Sequence, residues 1–314
     1  MGLRALGPAT LAVVGAIERG HAGEDVLVAC SGGADSLALA HGVRLVAARR
    51  GFAARALVVD HGLQEDAAAQ AALAVARLRA AGMDADRVAV RVRPDGSGLE
   101  AAAREARYRA LAEDRHPGEL CYLGHTLDDQ AETVLLGLAR GSGTRSLAGM
   151  PARRDGFLRP LLGLTRATTR QSCRELGLDW WDDPHNTAGR FTRTRVRHAV
   201  LPVLEAELGP GIAAALARTS ALAREDADAL DQLAAAVDAP DELPCATLAG
   251  LPAAIRQRVL RRWLLARGAG ELTRGHTLAV AALVTDWHGQ KWVEVPGLRV
   301  VRNGGVLVAR GGQG

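Results

Sequence analysis

The apolar run Val26-Leu-Val-Ala-Cys30 passes without a break into Ser31-Gly-Gly-Ala-Asp-Ser36 and then into a helical pattern from about Ser36 to Arg50. A short strand feeding a glycine turn and then a helix opens a βαβ unit, which commits this part of the chain to a parallel sheet. The alternation continues through the first half. Strands are expected at Ala56–Val59, Val88–Val92 and Leu120–Leu123, and helices at Glu65–Ala81, Leu99–Asp114 and Leu127–Arg140. The expected class is α/β, a doubly wound parallel sheet with helices on both faces.

Beyond Gly141 the pattern loosens into loops around one helix, Thr165–Leu176. From Leu201 the chain turns mainly helical, with helices expected at Ile212–Val237, Pro252–Ala266 and Thr273–Asp286 and a linker at Asp238–Pro244. The end alternates over Lys291–Val295, Leu298–Val301 and Val306–Ala309, with turns at Pro296-Gly297 and Asn303-Gly-Gly305, a small antiparallel meander. The expected division is a catalytic domain over 1–205 and a smaller, mainly helical substrate domain over 206–314. A length of 314 residues suits two domains.

Composition narrows the class of partner. Hydrophobic residues make up 48% and charged residues 24%, which excludes collagen-like and disordered chains. Cys30, Cys121, Cys173 and Cys245 stand far apart with no C-x-x-C pair, so neither a zinc site nor an iron–sulfur cluster is expected. No uncharged apolar run reaches the ~18 residues of a membrane span, so no membrane partner is expected and the cytoplasm is the expected compartment. From Arg140 to Arg197 twelve arginines face five acids, a surplus greater than the whole chain's +4. Such a stretch suits a polyanion.

Three segments carry chemistry. In Ser31-Gly32-Gly33-Ala34-Asp35-Ser36, glycines at a strand-to-helix switch let backbone N–H groups approach phosphate oxygens, and the helix N-terminus adds partial positive charge. The Gly-Lys-Ser ending of a loop built for γ-phosphate transfer is missing. Asp60 and His61 end the next strand, beside the nucleotide in a doubly wound sheet. In Gly124-His-Thr-Leu-Asp-Asp-Gln-Ala-Glu-Thr133, residues His125, Asp129 and Glu132 share one helical face. Acids there can hold Mg²⁺, with Asp128 a candidate ligand, or an ammonium group.

The loop resembles that of the N-type ATP pyrophosphatases, and the three segments together resemble the tRNA(Ile)-lysidine synthetase family. Further stretches join the match: Leu99-Glu-Ala-Ala-Ala-Arg-Glu-Ala-Arg-Tyr108, Leu135 to Met150, Arg159-Pro-Leu-Leu162, and Trp181-Asp-Asp-Pro-His-Asn186 through Arg193-Thr-Arg-Val-Arg-His198. The resemblance covers about residues 24 to 205. His185 stands where the family often has Ser, and Thr194 where it usually has Asn. Many relatives also carry a third domain, so a short form is expected.

The resemblance implies that lysine is joined to carbon 2 of the cytidine at the first anticodon position of tRNA(Ile). ATP, with Mg²⁺, first adenylates the cytosine oxygen and releases pyrophosphate; the lysine amine then displaces AMP. It implies ATP binding at Ser31 to Ser36 with Asp60 and His61, and catalytic roles for Asp35, His125, Asp129 and Glu132. It further implies lysine binding by Asp129 and Glu132. Arg104, Arg107, Arg193, Arg195 and Arg197 become the candidates for tRNA contacts. Either a carboxylate or His125 can accept the amine proton, and a homodimer stays open. A tRNA thiolase of the same superfamily would need cysteine pairs, and an amide-forming synthetase a glutamine-hydrolysing domain; neither is found in the sequence.

Overall fold

The computed structural model describes residues 6–60, 62, 67–92, 98–141, 143–181 and 192–311. Two compact units emerge: Met1–Gly141 with Ser146–Ser220, and Ser142–Arg145 with Ala221–Gly314.

The first unit opens with α1 (Pro8–Gly20) and continues as β1 (Val26–Ala29), α2 (Ala34–Arg50), β2 (Ala54–Asp60), α3 (Ala67–Ala80), β3 (Asp84–Ala89), α4 (Leu99–Asp114), β4 (Leu120–Leu123) and α5 (Leu127–Ala139). After a helical turn α6 (Thr144–Leu147), which the two units divide, come a two-residue pair β5 (Arg153–Arg154) and β6 (Phe157–Leu158), and α7 (Arg166–Glu175). Next come α8 (Thr192–Arg195), a π-helical turn over Val196–Val200, α9 (Leu201–Glu207) and α10 (Ile212–Ala235). The sheet order is β3-β2-β1-β4-β6-β5. β1 pairs in parallel with β2 from Val26↔Ala54 and with β4 from Val26↔Leu120. The chain therefore winds outward through β2 and β3, then returns to the other side of β1. The β1/β4 border is the switch point at which ligands enter such sheets.

Strands buried on both faces read as continuous apolar runs, and β1 shows why. Val26 and Val28 enter one core cluster with Leu37, Leu39 and Ile17, while Leu27 enters another with Leu57, Leu111 and Phe157. β3 lies earlier than the apolar run Val88–Val92 suggests. At the sheet edge only one neighbour must be matched, and Asp84-Ala-Asp-Arg87 alternates with Ala85 buried between exposed Asp84 and Asp86. The β5–β6 hairpin was not expected from the sequence. Its Asp155-Gly156 turn, with φ of 53° and 80°, is a pattern that closes tight hairpins.

His41 on α2 is buried, and its pKa falls to about 4 through burial and the neighbouring Arg44. An unfolded chain takes up that proton near 6.5, the folded one only near 4. Between these values the unfolded state binds more protons. Stability is therefore full above pH 6.5 and declines as pH falls toward 4. The expected loss is up to about 3 kcal/mol, read as a falling thermal midpoint. His41→Leu flattens that slope, and an unchanged slope would remove His41 as its cause.

The second unit holds the later part of α10, β7 (Leu243–Pro244), α11 (Cys245–Ala249), α12 (Ala253–Ala266), α13 (Arg274–Thr285), β8 (Val293–Val295), β9 (Leu298–Asn303) and β10 (Val306–Gly311). The meander is present, and β7 adds an unexpected fourth strand in the order β7-β10-β9-β8. Trp263, Leu264, Val280 and Leu307 anchor its core. The division between units falls inside α10 rather than at residue 205, because Ala213 and Leu216 pack on Ala131, Val196 and Leu201 of the first unit.

Candidate active site

The glycine loop leaves β1 where Cys30 donates its N–H to Leu57 O, and α2 begins at Ala34. Gly32 has φ of 81°, a left-handed conformation that glycine adopts without steric cost. Gly33 caps α2 with no side-chain hydrogen bond, so the first-turn amides are left for an anion. Ser36 braces the loop: its Oγ donates to Gly33 O at 2.9 Å and accepts from the Ser31 N–H at 3.1 Å. Ser31 remains exposed. Gly124, at the exit of β4, lies against α2; a Cβ there would meet Asp35 O at 3.0 Å and Ser36 Cα at 3.1 Å. The loop and the β4 exit are thus one packed piece.

Asp35 follows in the first turn of α2. Its Oδ1 accepts from Thr169 Oγ1, and its Oδ2 lies 3.5 Å from Arg166 Nε. Burial pushes its pKa up, with Asp129 adding to the rise against Thr169 and Arg166.

On α5, Asp129 Oδ2 accepts the Thr126 N–H at 2.8 Å and its hydroxyl at 3.0 Å, fixing the start of the helix. Its Oδ1 faces Arg166 at 3.1 Å and Arg197 at 3.2 Å. Burial alone would raise the Asp129 pKa; Arg166 and Arg193 overcome it and hold the carboxyl at about 2. Glu132 is fully buried. Its Oε2 accepts from Arg193 Nε at 2.8 Å and its Oε1 from Arg197 Nε at 2.7 Å, with Arg166 at 3.3 Å. Asp128 accepts the Arg166 N–H at 2.7 Å. Three guanidiniums therefore clasp the acid pair.

Of the other expected site residues, Asp60 is buried at the end of β2 and accepts the Gly62 N–H at 3.0 Å. His61 and His185 lie outside the described residues. His125 is half-buried just before α5. Burial lowers its pKa to about 3; Arg107, Arg159 and Arg104 push the same way, against Asp129. The five arginines proposed for RNA do not form one surface. Arg193 and Arg197, one helical turn apart, face the acids; Arg195 and Arg104 are exposed, and Arg107 is half-buried. Thr194 is buried.

Residues 12–204 match the PP-loop domain family, and residues 243–308 the TilS substrate binding domain. The tRNA(Ile)-lysidine synthase of Thermobifida fusca (strain YX) is 54% identical, covering 88% of this chain and 89% of its own. That of Leifsonia xyli subsp. xyli (strain CTCB07) is 53% identical, with 90% and 88% covered. The chain belongs to the tRNA(Ile)-lysidine synthase family. A U34-tRNA thiolase from Methanococcus maripaludis with its 4Fe-4S cluster shares the fold, with a TM-score of 0.55 at 17% identity over 69% of this chain and 80% of that one. In this lysidine synthase relative all four cysteines are free and buried, and among the described residues no three His, Cys, Asp or Glu gather as a metal site.

Two residues of this family member were missed in the sequence. Arg166 and Thr169 on α7 reach Asp35, Asp129 and Glu132 from more than thirty positions away. The only signal was the arginine surplus after Arg140, which counts charge without pairing it.

Proposed function

We propose that this protein ligates lysine to carbon 2 of the cytidine at the first anticodon position of tRNA(Ile), forming lysidine through an adenylated tRNA and releasing pyrophosphate and AMP. The observation that carries the reading is an uncapped phosphate loop packed, through Gly124, against the start of the helix that bears Asp128, Asp129 and Glu132. ATP is the nucleotide that a PP-loop domain uses. The α2 amides and the Ser31 hydroxyl hold the pyrophosphate that leaves. The amine must shed its proton before it attacks; Asp129 and Glu132 together are the acids that would bind it, and both already face arginines. Mg²⁺ suits Asp35, a half-buried carboxylate crowded by Asp129, together with ATP oxygens; Asp128 already gives one oxygen to Arg166. When bound, the ion neutralises phosphate charge. The site of work is the cytoplasm, where tRNA and free lysine meet.

Unmodified tRNA(Ile) incubated with ATP and labelled lysine should gain lysine at that cytidine, with AMP and pyrophosphate as products. ADP as product would overturn the reading. Asp129→Asn should raise the lysine requirement roughly tenfold or more, the scale of a lost charge-assisted bond, while adenylated tRNA accumulates. If adenylation fails instead and added Mg²⁺ restores it, Asp129 is a metal ligand and not a lysine ligand.

tRNA affinity should fall steeply with salt, and Arg195→Ala should lower the log–log slope by about one, as one lost phosphate contact does. An unchanged slope would place Arg195 away from the RNA. Arg193 is spent on Glu132, so Arg193→Ala should show first in stability.

A further inference from the structure

Trp287 and Trp292 are each 46% exposed in a chain with 3% aromatic residues. Tryptophans with one side in water are characteristic of binding interfaces. Both lie in the second unit, at the two ends of the turn from α13 to β8, and a guanidinium covers one face of each ring. Arg302 stands 4.7 Å from the centre of Trp287, and Arg299 4.6 Å from that of Trp292. Arg302 is committed to the end of α13, where it donates to Leu283 O at 2.9 Å. Arg299 meets only the exposed Glu294, at 2.8 Å, and its buried Nε has no partner. The register of the meander enlarges this second spot. Leu298, Val300 and Leu307 are buried in the core of the unit, so by the two-residue period Arg299, Val301, Val308 and Arg310 lie on the other face of the sheet. Arg299 stands directly opposite Arg310, and Val301 opposite Val308. Like charges placed opposite one another repel, and exposed Arg310 makes no ion pair among the described residues. The wider charge agrees. From Cys245 to Gly311 ten basic residues stand against three acids, whereas from Ala221 to Pro244 seven acids stand against one arginine.

We propose that this outer face of the meander binds an unpaired nucleotide of the RNA substrate, its base stacked on Trp292 and its phosphate held between Arg299 and Arg310. The proposal rests on the ligase reading above and adds to it which groups of the RNA the second unit grips. An aromatic ring with a guanidinium at its back offers a stacking surface to any base. Val301 and Val308, half-buried between the two strands' arginines and the rest of the face, keep the floor apolar, which suits a base or a ribose. Two arginines brought together by the register, with one carboxylate between them, suit a phosphate. A duplex hides the faces of its bases inside its own stack, so it could use the arginines and not the ring. An acidic peptide would match the charge and leave the ring without a flat partner.

The test uses the full chain and a short single-stranded RNA of 5-iodouridine, a base that light joins to an aromatic side chain stacked on it. Mass analysis of the irradiated complex should find the adduct on Trp292. Adducts confined to the first unit overturn the proposal, and this arm needs no variant to fold. In a second arm, Trp292→Leu keeps an apolar side chain and should weaken tRNA binding roughly fivefold to a hundredfold, the range of one lost stack, with the salt slope unchanged. Trp292→Phe should recover most of that loss. Arg310→Gln should instead lower the log–log salt slope by about 0.7, one single-strand phosphate contact. Unchanged tRNA affinity in Trp292→Leu overturns the proposal. So does an equal loss for a fully paired RNA duplex, because the face then reads phosphates without a base. Failure of the ligase reading is separate: it would appear as no lysine in tRNA, whether or not Trp292 takes the label.

Discussion

Asp35→Ala should remove pyrophosphate release by roughly 10² to 10³-fold, the scale on which a single preorganised charge at a reacting phosphate acts. The carboxylate sits in the first turn of α2, beside the loop, bound to Thr169 and near Arg166. Removing it leaves Arg166 with Asp129 and Glu132, so the fold should survive and tRNA affinity should change little. Ser36→Ala should act in the same direction, because the Ser31 amide and the Gly33 carbonyl lose the hydroxyl that joins them. Pyrophosphate release and tRNA binding measured on the same preparation decide it. Turnover retained in the Asp35 variant would remove that residue from the chemistry.

Glu132→Gln should be the most damaging change to stability. The neutral amide keeps the shape but leaves Arg166, Arg193 and Arg197 without the charge that two of them meet at 2.7 and 2.8 Å in a fully buried position. Breaking a buried ion pair from one side costs roughly 3 to 5 kcal/mol. For a domain of this size that corresponds to a fall in thermal midpoint of roughly 6 to 20 °C. A fall of less than about 2 °C would mean that the arginines find water or other partners at little cost. Restoring a carboxylate with Glu132→Asp should recover only part of the loss, because the shorter stem cannot reach both guanidiniums.

The fold was legible where local pattern and tertiary role coincide. β1, the loop and α2 were readable because a glycine turn between an apolar strand and a helix has few other uses. α13 and the final meander were readable for the same kind of reason. β3 was misplaced because an edge strand needs only half the apolar pattern of a central one. The acids Asp129 and Glu132 were visible as a spacing on one helix, but their partners were not. Whether Arg193, Arg195 and Arg197 share a face depends on local backbone conformation. The segment is helical, so the first and third converge on Glu132 while the second turns outward. Arg166 could not be paired from sequence at all, since only the packing of α7 near α2 brings it there.

The clasp of arginines has a consequence for how the nucleotide arrives. With Asp35, Asp129 and Glu132 ionised, their charge is balanced by Arg166, Arg193 and Arg197. A polyphosphate drifting toward the β1/β4 border therefore meets acids already paired with guanidiniums, where bare acids would have formed a repelling wall. Its capture should depend on the aimed amides of α2 more than on long-range attraction. The entry rate of ATP should then change far less with ionic strength than the entry rate of tRNA, so one protein would present a salt-insensitive door to one substrate and a salt-sensitive door to the other.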